Sequence, residues 1–438
     1  MKTVKSIVTH QLCTGCGTCS SICPNKAILM LKDAATSRFV PRIVESNCTN
    51  CSLCLDVCPG LSFDIIEQSK GLKGENVLVN DQIGRYLNCY IGCSNDRSIR
   101  FQCSTGGIVT SLLSFIIKER LVDQVVVTKM NKSNPLEPEI VILSKEVDVL
   151  SSSGSKYITA PVNIALREIL TKPGRYAVVG LPCHIAGLRK AEHANPVLRE
   201  RIKLHIGLFC GGCMSPQGTE FILEKLGVSK DDVAEVSYRG NGWPGSMNIR
   251  THSGKQYVLP YPDYMKALGF IFTPYRCNLC YDGANELADI SVGDAWLSWV
   301  QDKIGSSIVI VRTPDGLEVI RQAIGKNIIT LLPIKSEEVV RSQSKMLYSK
   351  KVSIHARCSI AKLTGRSIPK TKDLTMPYSL NIRSYAFSSI QFLSSYLLSK
   401  RANWFVLKRL LRLINWCPHL IETSVDKTSG NSIEGVTS

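Results

Sequence analysis

The sequence predicts an α+β ferredoxin-like unit at the N-terminus, an α/β core behind it, and a basic, partly helical C-terminal segment. Three observations carry this. Eight of the 18 Cys fall within residues 1–66, in two runs of one spacing. From about residue 86 to 335, apolar strand-like runs such as "VDQVVVTK", "RYAVVG" and "IKLHIGLF" alternate with helical spacing in "GGIVTSLLSFIIKERL" and "QGTEFILEKLG". Between Arg341 and Trp416 stand 15 Lys/Arg and one acid, Asp373, in a chain whose net charge is +17. The expected organisation is a two-cluster ferredoxin domain at 1–66, a linker at 67–85, an oxidoreductase core at 86–340, a basic segment at 341–421 and a disordered tail at 422–438.

The N-terminal unit is the most specific part. "CTGCGTCSSICP" holds Cys13, Cys16, Cys19 and Cys23; "CTNCSLCLDVCP" holds Cys48, Cys51, Cys54 and Cys58. Both read C-x2-C-x2-C-x3-C-P, the run of bacterial two-cluster ferredoxins, in which the fourth Cys of each run ligates the other cluster. That rule assigns Cys13, Cys16, Cys19 and Cys58 to one [4Fe-4S] cluster and Cys48, Cys51, Cys54 and Cys23 to another. Small residues between the Cys leave backbone N–H groups free for cluster sulfurs. Zinc more often takes two separated C-x2-C pairs. Such clusters carry single electrons and imply a redox partner site elsewhere.

The charge is local to the C-terminal segment, so nucleic acid is excluded as the partner of the body of the protein. The start "MKTVKSIVTHQLCTG" has no apolar export region, which points to a cytoplasmic chain whose Cys are metal ligands or free thiols rather than disulfides. "SYLLSKRANWFVLKRLLRLINW" (395–416) places Trp404, Phe405, Leu407, Leu411 and Ile414 among Lys/Arg. That pattern suits peripheral contact with anionic lipid at the inner face of the membrane, or a helix docked on its own core.

Three glycine-containing stretches bear on phosphate binding. "GNGWPG" (240–245) matches G-x-G-x-x-G, but "SMNIRTHSGKQYVLP" after it alternates like a hairpin, so a dinucleotide fingerprint is rejected. "CSTGGIVTSLLSFII" (103–117) is better placed: Ser104 or Thr105 can cap a helix, and Gly106 and Gly107 would let a phosphate approach. "SSSGSKYITAP" (151–161) is a second polar stretch, with Lys156 available to a phosphate or an anionic flavin ring.

A last pair, Cys277 and Cys280 in "RCNLCYD", lacks neighbours: Cys213 is the closest upstream and Cys358 downstream. Cys183 in "VGLPCHIAGLRKA" and Cys210 in "IKLHIGLFCGGC" follow apolar strands, at the edge where open α/β sheets place their ligands. Together they make four. Cys213 in place of Cys210, and zinc in place of a cluster, both stay open at this level.

"STGGIVTSLL", "GSKYITAP", "VGLPCHIAGLRKA", "IGLFCGG", "YRGNGWPG", "CNLCYD" and "LADISVGDAW" together resemble the family of coenzyme F-420-reducing hydrogenase/dehydrogenase beta subunits over roughly 86–335. The resemblance implies an α/β flavin-binding core, FAD, and a third [4Fe-4S] cluster on Cys183, Cys210, Cys277 and Cys280. It carries over a flavin site only by motif, to Ser104, Thr105, Gly106, Gly107, Gly154, Lys156 and Tyr157, with Asp294 a further polar candidate. The implied partners are ferredoxin, a deazaflavin or a partner enzyme. Relatives include deazaflavin oxidoreductase subunits, a chlorophyll-derivative reductase and bacterial proteins linked with polysaccharide pyruvyl transferases. The alternative is an electron-transfer subunit with no substrate of its own. A zinc-stapled scaffold whose basic tail binds membranes or other proteins is the third reading. Cys89, Cys93 and Cys103 fit no ligand run and are expected to be free thiols. His10 and His184 are candidate tuners beside clusters. Trp243 is a candidate for stacking on a flavin or for anchoring a loop.

Overall fold

The computed structural model describes residues 3–72, 74–300, 302–374, 382–413 and 421–424. In the N-terminal unit, β1 (Ile28–Lys32) and β2 (Phe39–Ile43) pair antiparallel between the two Cys runs. Each run turns into a short helix, Thr18–Ile22 or Leu53–Asp56, through a left-handed residue, Gly17 (φ +89°) or Ser52 (φ +65°). The duplicated run thus gives a duplicated backbone. Only the first copy needs glycine for space as well, because a Cβ on Gly17 would lie 2.9 Å from Ile164 Cγ2 of the core.

The expected linker is partly structured. β3 (Leu78–Asn80) pairs with β4 (Gly84–Tyr86), and Ile83 between them is fully buried. The apolar Ile83 and the guanidinium of Arg312, which donates to the Ile83 and Arg85 carbonyls, draw this hairpin onto the core.

The core strands are β5 (Asn88–Ser94), β6 (Gln124–Met130), β7 (Pro138–Leu143), β8 (Tyr176–Gly180), β9 (Ile202–Leu208), β10 (Val233–Ser237), β11 (Ser246–Thr251), β12 (Lys255–Pro260), β13 (Ile290–Asp294), β14 (Ser307–Val311) and β15 (Ile329–Pro333). Eight form one mixed sheet in the order β15-β5-β14-β13-β9-β8-β6-β7. The pairs β6·β8, β8·β9 and β9·β13 are parallel, so β8 and β9 end on the same edge, as their apolar runs predict. The segment around 240–245 is the loop between β10 and β11, with β11 and β12 as the expected hairpin.

Helix Ile108–Lys118 covers one face of the sheet, burying Ile108, Leu112, Phe115 and Ile116. Helix Pro182–Ala194 is buried against the N-terminal unit. Its Ile185, Leu188 and Ala191 share a cluster with Ile22, Val57 and Phe63. Each large side chain so buried contributes about 1.5–3 kcal/mol, which seats the ferredoxin unit on the core through apolar contact.

The basic segment docks as well. Helix Ile382–Leu398 packs Phe392 edge-on against Tyr275 at 5.4 Å. In helix Trp404–Leu413, Trp404 meets Phe221 at 5.3 Å and Leu407 is buried, while Lys408 pairs with Glu224. Trp404 and Leu407 are therefore core residues rather than lipid-facing ones, whereas Phe405 is exposed; the Leu411 side chain and Ile414 lie outside the described residues. The tail, expected to be disordered from Glu422, instead begins with β16 (Ile421–Ser424), whose backbone pairs with the free edge of β12. The rest of it lies outside the described residues.

One buried charge network was not legible in the sequence. His205 on β9 meets Glu192 Oε1 at 2.7 Å and Asp289 Oδ2 at 2.9 Å, and Arg189 donates to Asp289 Oδ1 at 2.8 Å. Burial and Arg189 both oppose the imidazolium, but the two carboxylates outweigh them and hold the His205 pKa above its ordinary value. The resulting stability is fully present below the unfolded pKa of about 6.5 and is lost as pH rises through the folded value. Asp289→Asn should cost about 3–5 kcal/mol, because it strands buried charge. In thermal unfolding of the anaerobic protein, the gap between wild type and His205→Gln should narrow as pH rises; a gap independent of pH contradicts a charged His205.

Candidate functional site

The eight N-terminal thiols enclose two separate spaces of about 20 Å³ each. One is lined by Cys13, Cys16, Cys19 and Cys58, the other by Cys23, Cys48, Cys51 and Cys54. The chain thus crosses over between the runs as the ferredoxin rule requires. Backbone N–H groups reach the sulfurs, from Gly15 to Cys13 Sγ at 3.3 Å and from Ala27 to Cys23 Sγ at 3.4 Å. Burial first, and the neighbouring thiols second, push Cys58 up to about 12 and Cys19 well above the usual thiol range. Four such sulfurs stay together as thiolates only when a polycation neutralises them.

A third enclosed space, about 50 Å³, is lined by Cys183, Cys210, Cys213, Cys277 and Cys280. Cys183 sits in the first turn of helix Pro182–Ala194, just past β8, where the helix dipole favours a thiolate. Cys210 follows β9, and Cys277 and Cys280 flank the end of the short helix Tyr275–Asn278. After burial, the groups acting on the Cys183 thiol are Cys277, Cys16, Cys210 and Cys280. Cys210 and Cys213 both line this space, so its lining alone does not choose between them as the fourth member. Among the described residues, no three His, Cys, Asp or Glu side chains converge as they would around a single metal ion. The five thiols stand around the wall of one space.

The first and third thiol sets are tied together. Arg276, buried beside Cys277, donates from Nη2 to the Pro59 carbonyl at 2.9 Å and from Nε to that of Gly60 at 3.2 Å, immediately after Cys58. Lys190 Nζ donates to the Ser62 carbonyl at 2.8 Å, and the Asn163 N–H to that of Cys16 at 2.8 Å.

A larger cleft, about 270 Å³, lies along the carboxyl ends of β8, β9 and β13. It shares Leu181, His184, Cys210, Gly212 and Cys213 with the third thiol space. Of the expected flavin residues, Ser104, Thr105, Gly107, Gly154, Lys156 and Tyr157 line it. Gly106 does not: a Cβ there would lie 2.8 Å from the Gly92 carbonyl and the Ser307 nitrogen, so this glycine serves the approach of loop to sheet. Ser104 and Thr105 do not cap the helix either, because Gly107 is the N-cap. Ser104 Oγ accepts the Ser155 N–H at 2.6 Å, which joins the two loops, and Thr105 Oγ1 donates to the Ser306 carbonyl at 2.7 Å, which ties the first loop to the start of β14. Lys156 Nζ donates to the carbonyls of Ser153 and Gly154 at 2.8 and 2.9 Å, and burial lowers its pKa to about 7. Ser307 Oγ lines the cleft, buried and without a protein partner, as a ligand-bonding hydroxyl would be.

The floor adds Arg239, in "YRGNGWPG", a position that no local pattern in the sequence marks. It grips Asp294 with two bonds of 2.8 and 2.9 Å and lies 4.2 Å from the centroid of the Tyr261 ring. Asp294 is thus a cleft residue, paired. Trp243 packs on Trp296 at 4.7 Å outside the cleft lining and anchors its loop. His184 sits in the shared wall, accepts the Leu181 N–H at 3.1 Å, and is kept neutral by burial with a pKa of about 4. His10 is exposed at a helix end, bonded to the Ser6 carbonyl, and lines none of these spaces. Cys89 packs in an apolar cluster, and Cys103 lies 3.2 Å from Thr110 Oγ1 in the cleft wall.

Comparison with known proteins follows the same division. Residues 12–60 match a 4Fe-4S dicluster domain. Residues 89–167 and 174–337 match the N-terminal and C-terminal parts of the family described as coenzyme F420 hydrogenase/dehydrogenase, beta subunit. The chain is 27% identical over 318 residues to a subunit of the F(420)H(2) dehydrogenase of Methanosarcina mazei, across 69% of this chain and 82% of the relative. It is 28% identical over 263 residues to the beta subunit of coenzyme F420 hydrogenase of Methanothermobacter thermautotrophicus, across 58% and 86%. A coenzyme F420-dependent sulfite reductase of Methanocaldococcus jannaschii is 24% identical over 335 residues, across 72% and 46%. The fold is similar to a chain of the F420-reducing [NiFe] hydrogenase complex of Methanosarcina barkeri, with TM-score 0.52 at 22% identity, across 65% of this chain and 96% of that one. Two thiol sets of ferredoxin spacing, a third at the sheet edge and matches over both halves of the core lead to one assignment: the chain belongs to the family of coenzyme F420 hydrogenase/dehydrogenase beta subunits and carries a 4Fe-4S dicluster domain at its N-terminus.

Proposed function

We propose that this chain is an iron–sulfur flavoprotein oxidoreductase that passes electrons between three [4Fe-4S] clusters and a hydride donor or acceptor, through FAD held in the cleft. The observation that carries this reading is the wall shared by the third thiol space and the cleft. Cys13, Cys16, Cys19 and Cys58, then Cys48, Cys51, Cys54 and Cys23, then Cys183, Cys210, Cys277 and Cys280 are the three ligand sets. A flavin bound beside them supplies conversion between hydride and single electrons. The hydride partner is deazaflavin coenzyme F420 or another small substrate, and a metabolite of polysaccharide biosynthesis is a candidate in a host lacking the deazaflavin.

The protein's own part is positioning. The Ser104–Ser155 bond joins the two loops that line the cleft, the Thr105–Ser306 bond ties the first of them to the start of β14, and Gly107 and Gly154 leave backbone in the lining without side chains. Lys156 Nζ donates to the carbonyls of Ser152, Ser153 and Gly154 and so fixes the backbone of its loop. His184, kept neutral by burial, and apolar Leu181 line both the cleft and the thiol space.

The second reading is an electron-transfer subunit that feeds a partner enzyme, favoured by relatives named as subunits. An acceptor screen separates the two: reduction of an acceptor by the isolated chain supports the first, and none without a partner supports the second. Cys277→Ser should lower iron in the anaerobically purified protein by about one third, one cluster of three, while Cys213→Ser leaves iron unchanged. Equal loss in both variants, or in neither, contradicts the ligand set.

Peripheral contact with anionic lipid is proposed for helix Ile382–Leu398, on which Ile390, Leu393 and Leu397 are exposed in a stretch, 374–421, that contains no Asp or Glu. Among the described residues no helix is long and apolar enough to cross a membrane. Ile390→Glu with Leu393→Glu should abolish sedimentation with anionic vesicles; unchanged sedimentation removes the lipid role from this face.

A further inference from the structure

A cleft of about 430 Å³, within the range of small-molecule sites, lies between the ferredoxin unit, segment 272–278 and helix Ile382–Leu398. It shares no lining residue with the proposed flavin cleft. Three cations face it. Arg38 donates from Nη2 to the Cys13 carbonyl at 2.7 Å, and its Nε is buried without a partner. Arg366 donates to Gln11 Oε1 at 2.8 Å and stands 3.9 Å from the Tyr275 ring centroid and 5.3 Å from that of Tyr396. Lys400 Nζ lies 4.5 Å from the Tyr396 centroid.

Among the described residues, none of the three forms an ion pair, although 36 acidic residues were available to the fold. The one carboxylate in the wall, Asp33, is already committed. Its Oδ1 accepts the Thr36 N–H and hydroxyl at 3.0 and 2.9 Å, and its Oδ2 pairs with Arg42 at 3.3 Å. Gathering three cations around one concave space costs repulsion, and an anion inside it relieves that cost. The flat guanidinium of Arg366, held on aromatic faces, presents donors of the kind that grip phosphate or carboxylate.

We infer that this cleft binds a small polyanion bearing phosphate or carboxylate groups, held by Arg38, Arg366 and Lys400. Its position gives the ligand a consequence. Cys13 lines the same cleft. If Cys13 ligates a cluster, as proposed above, an anion beside it disfavours the more negative reduced state and lowers that cluster's potential. Binding itself does not depend on the cluster assignment.

The test is isothermal titration calorimetry of the anaerobically purified full chain with two probes, pyrophosphate and citrate, at low and high salt. One probe should bind at one site per chain with Kd below about 1 mM, weakening with salt; which of them binds tighter distinguishes phosphate from carboxylate. Lys400→Gln, an exposed change, should weaken binding several-fold, and Arg366→Gln with Lys400→Gln by at least about tenfold, with iron content unchanged. Arg409→Gln, on the exposed side of its helix, should have no effect. Failure of both probes to bind, or equal binding by wild type and Lys400→Gln, overturns the inference.

Discussion

The constraint on which the rest depends is desolvation of thiols. Cys183, Cys210 and Cys58 are buried deeply enough that the free side chains resist ionising, and crowding among them raises the barrier further. A chain that places anion-forming groups in a low-dielectric space must supply countercharge. Part comes from the backbone: the N-terminus of helix Pro182–Ala194 lies against Cys183, and N–H groups point at Cys13 and Cys23. Part comes from cations kept nearby, Arg38 by Cys13 and Lys350 by Cys210. Under the proposed function, the remainder comes from the inorganic centre itself. This explains why the cysteines stand at strand ends and helix starts, where the backbone's own polarity is unspent.

The same constraint shapes the interface between the units. Arg276 and Lys190 reach from the core to carbonyls that flank Cys58, and Asn163 binds the Cys16 carbonyl. These buried donors fix the ferredoxin unit in one position over the third thiol space, while Ile22, Val57 and Phe63 provide the apolar contact. A relay of single electrons needs fixed, short separations, and a polar clamp inside an apolar seam gives position as well as affinity. On the far side, Leu181, His184 and Cys210 line both the third thiol space and the cleft.

How much of this was legible in the sequence follows from how local each signal is. The C-x2-C-x2-C-x3-C-P runs encode their geometry within a dozen residues, and the crossed pairing of Cys23 and Cys58 followed from spacing alone. The edge position of Cys183 and Cys210 was readable because the strands before them are strongly apolar. Side-chain roles were not. Gly106 reads as an opening for phosphate, yet it serves contact with Gly92 and with Ser307, the latter over 200 residues away in sequence. Trp404 and Leu407 have an interfacial pattern, but Phe221 and Phe272 supply a partner that periodicity cannot reveal. Arg239, and the network of His205 with Glu192, Asp289 and Arg189, depend on contacts across the sheet, which no window of sequence contains.

Three one-electron centres and one two-electron centre are proposed to share this chain. In a reductive titration of the anaerobically purified protein, followed by visible absorbance and EPR, uptake of about five electrons per chain is expected, about three at iron–sulfur centres and two at a flavin, with magnetic interaction between neighbouring reduced clusters. Uptake of about two electrons, with no flavin absorbance and no third cluster, would contradict it.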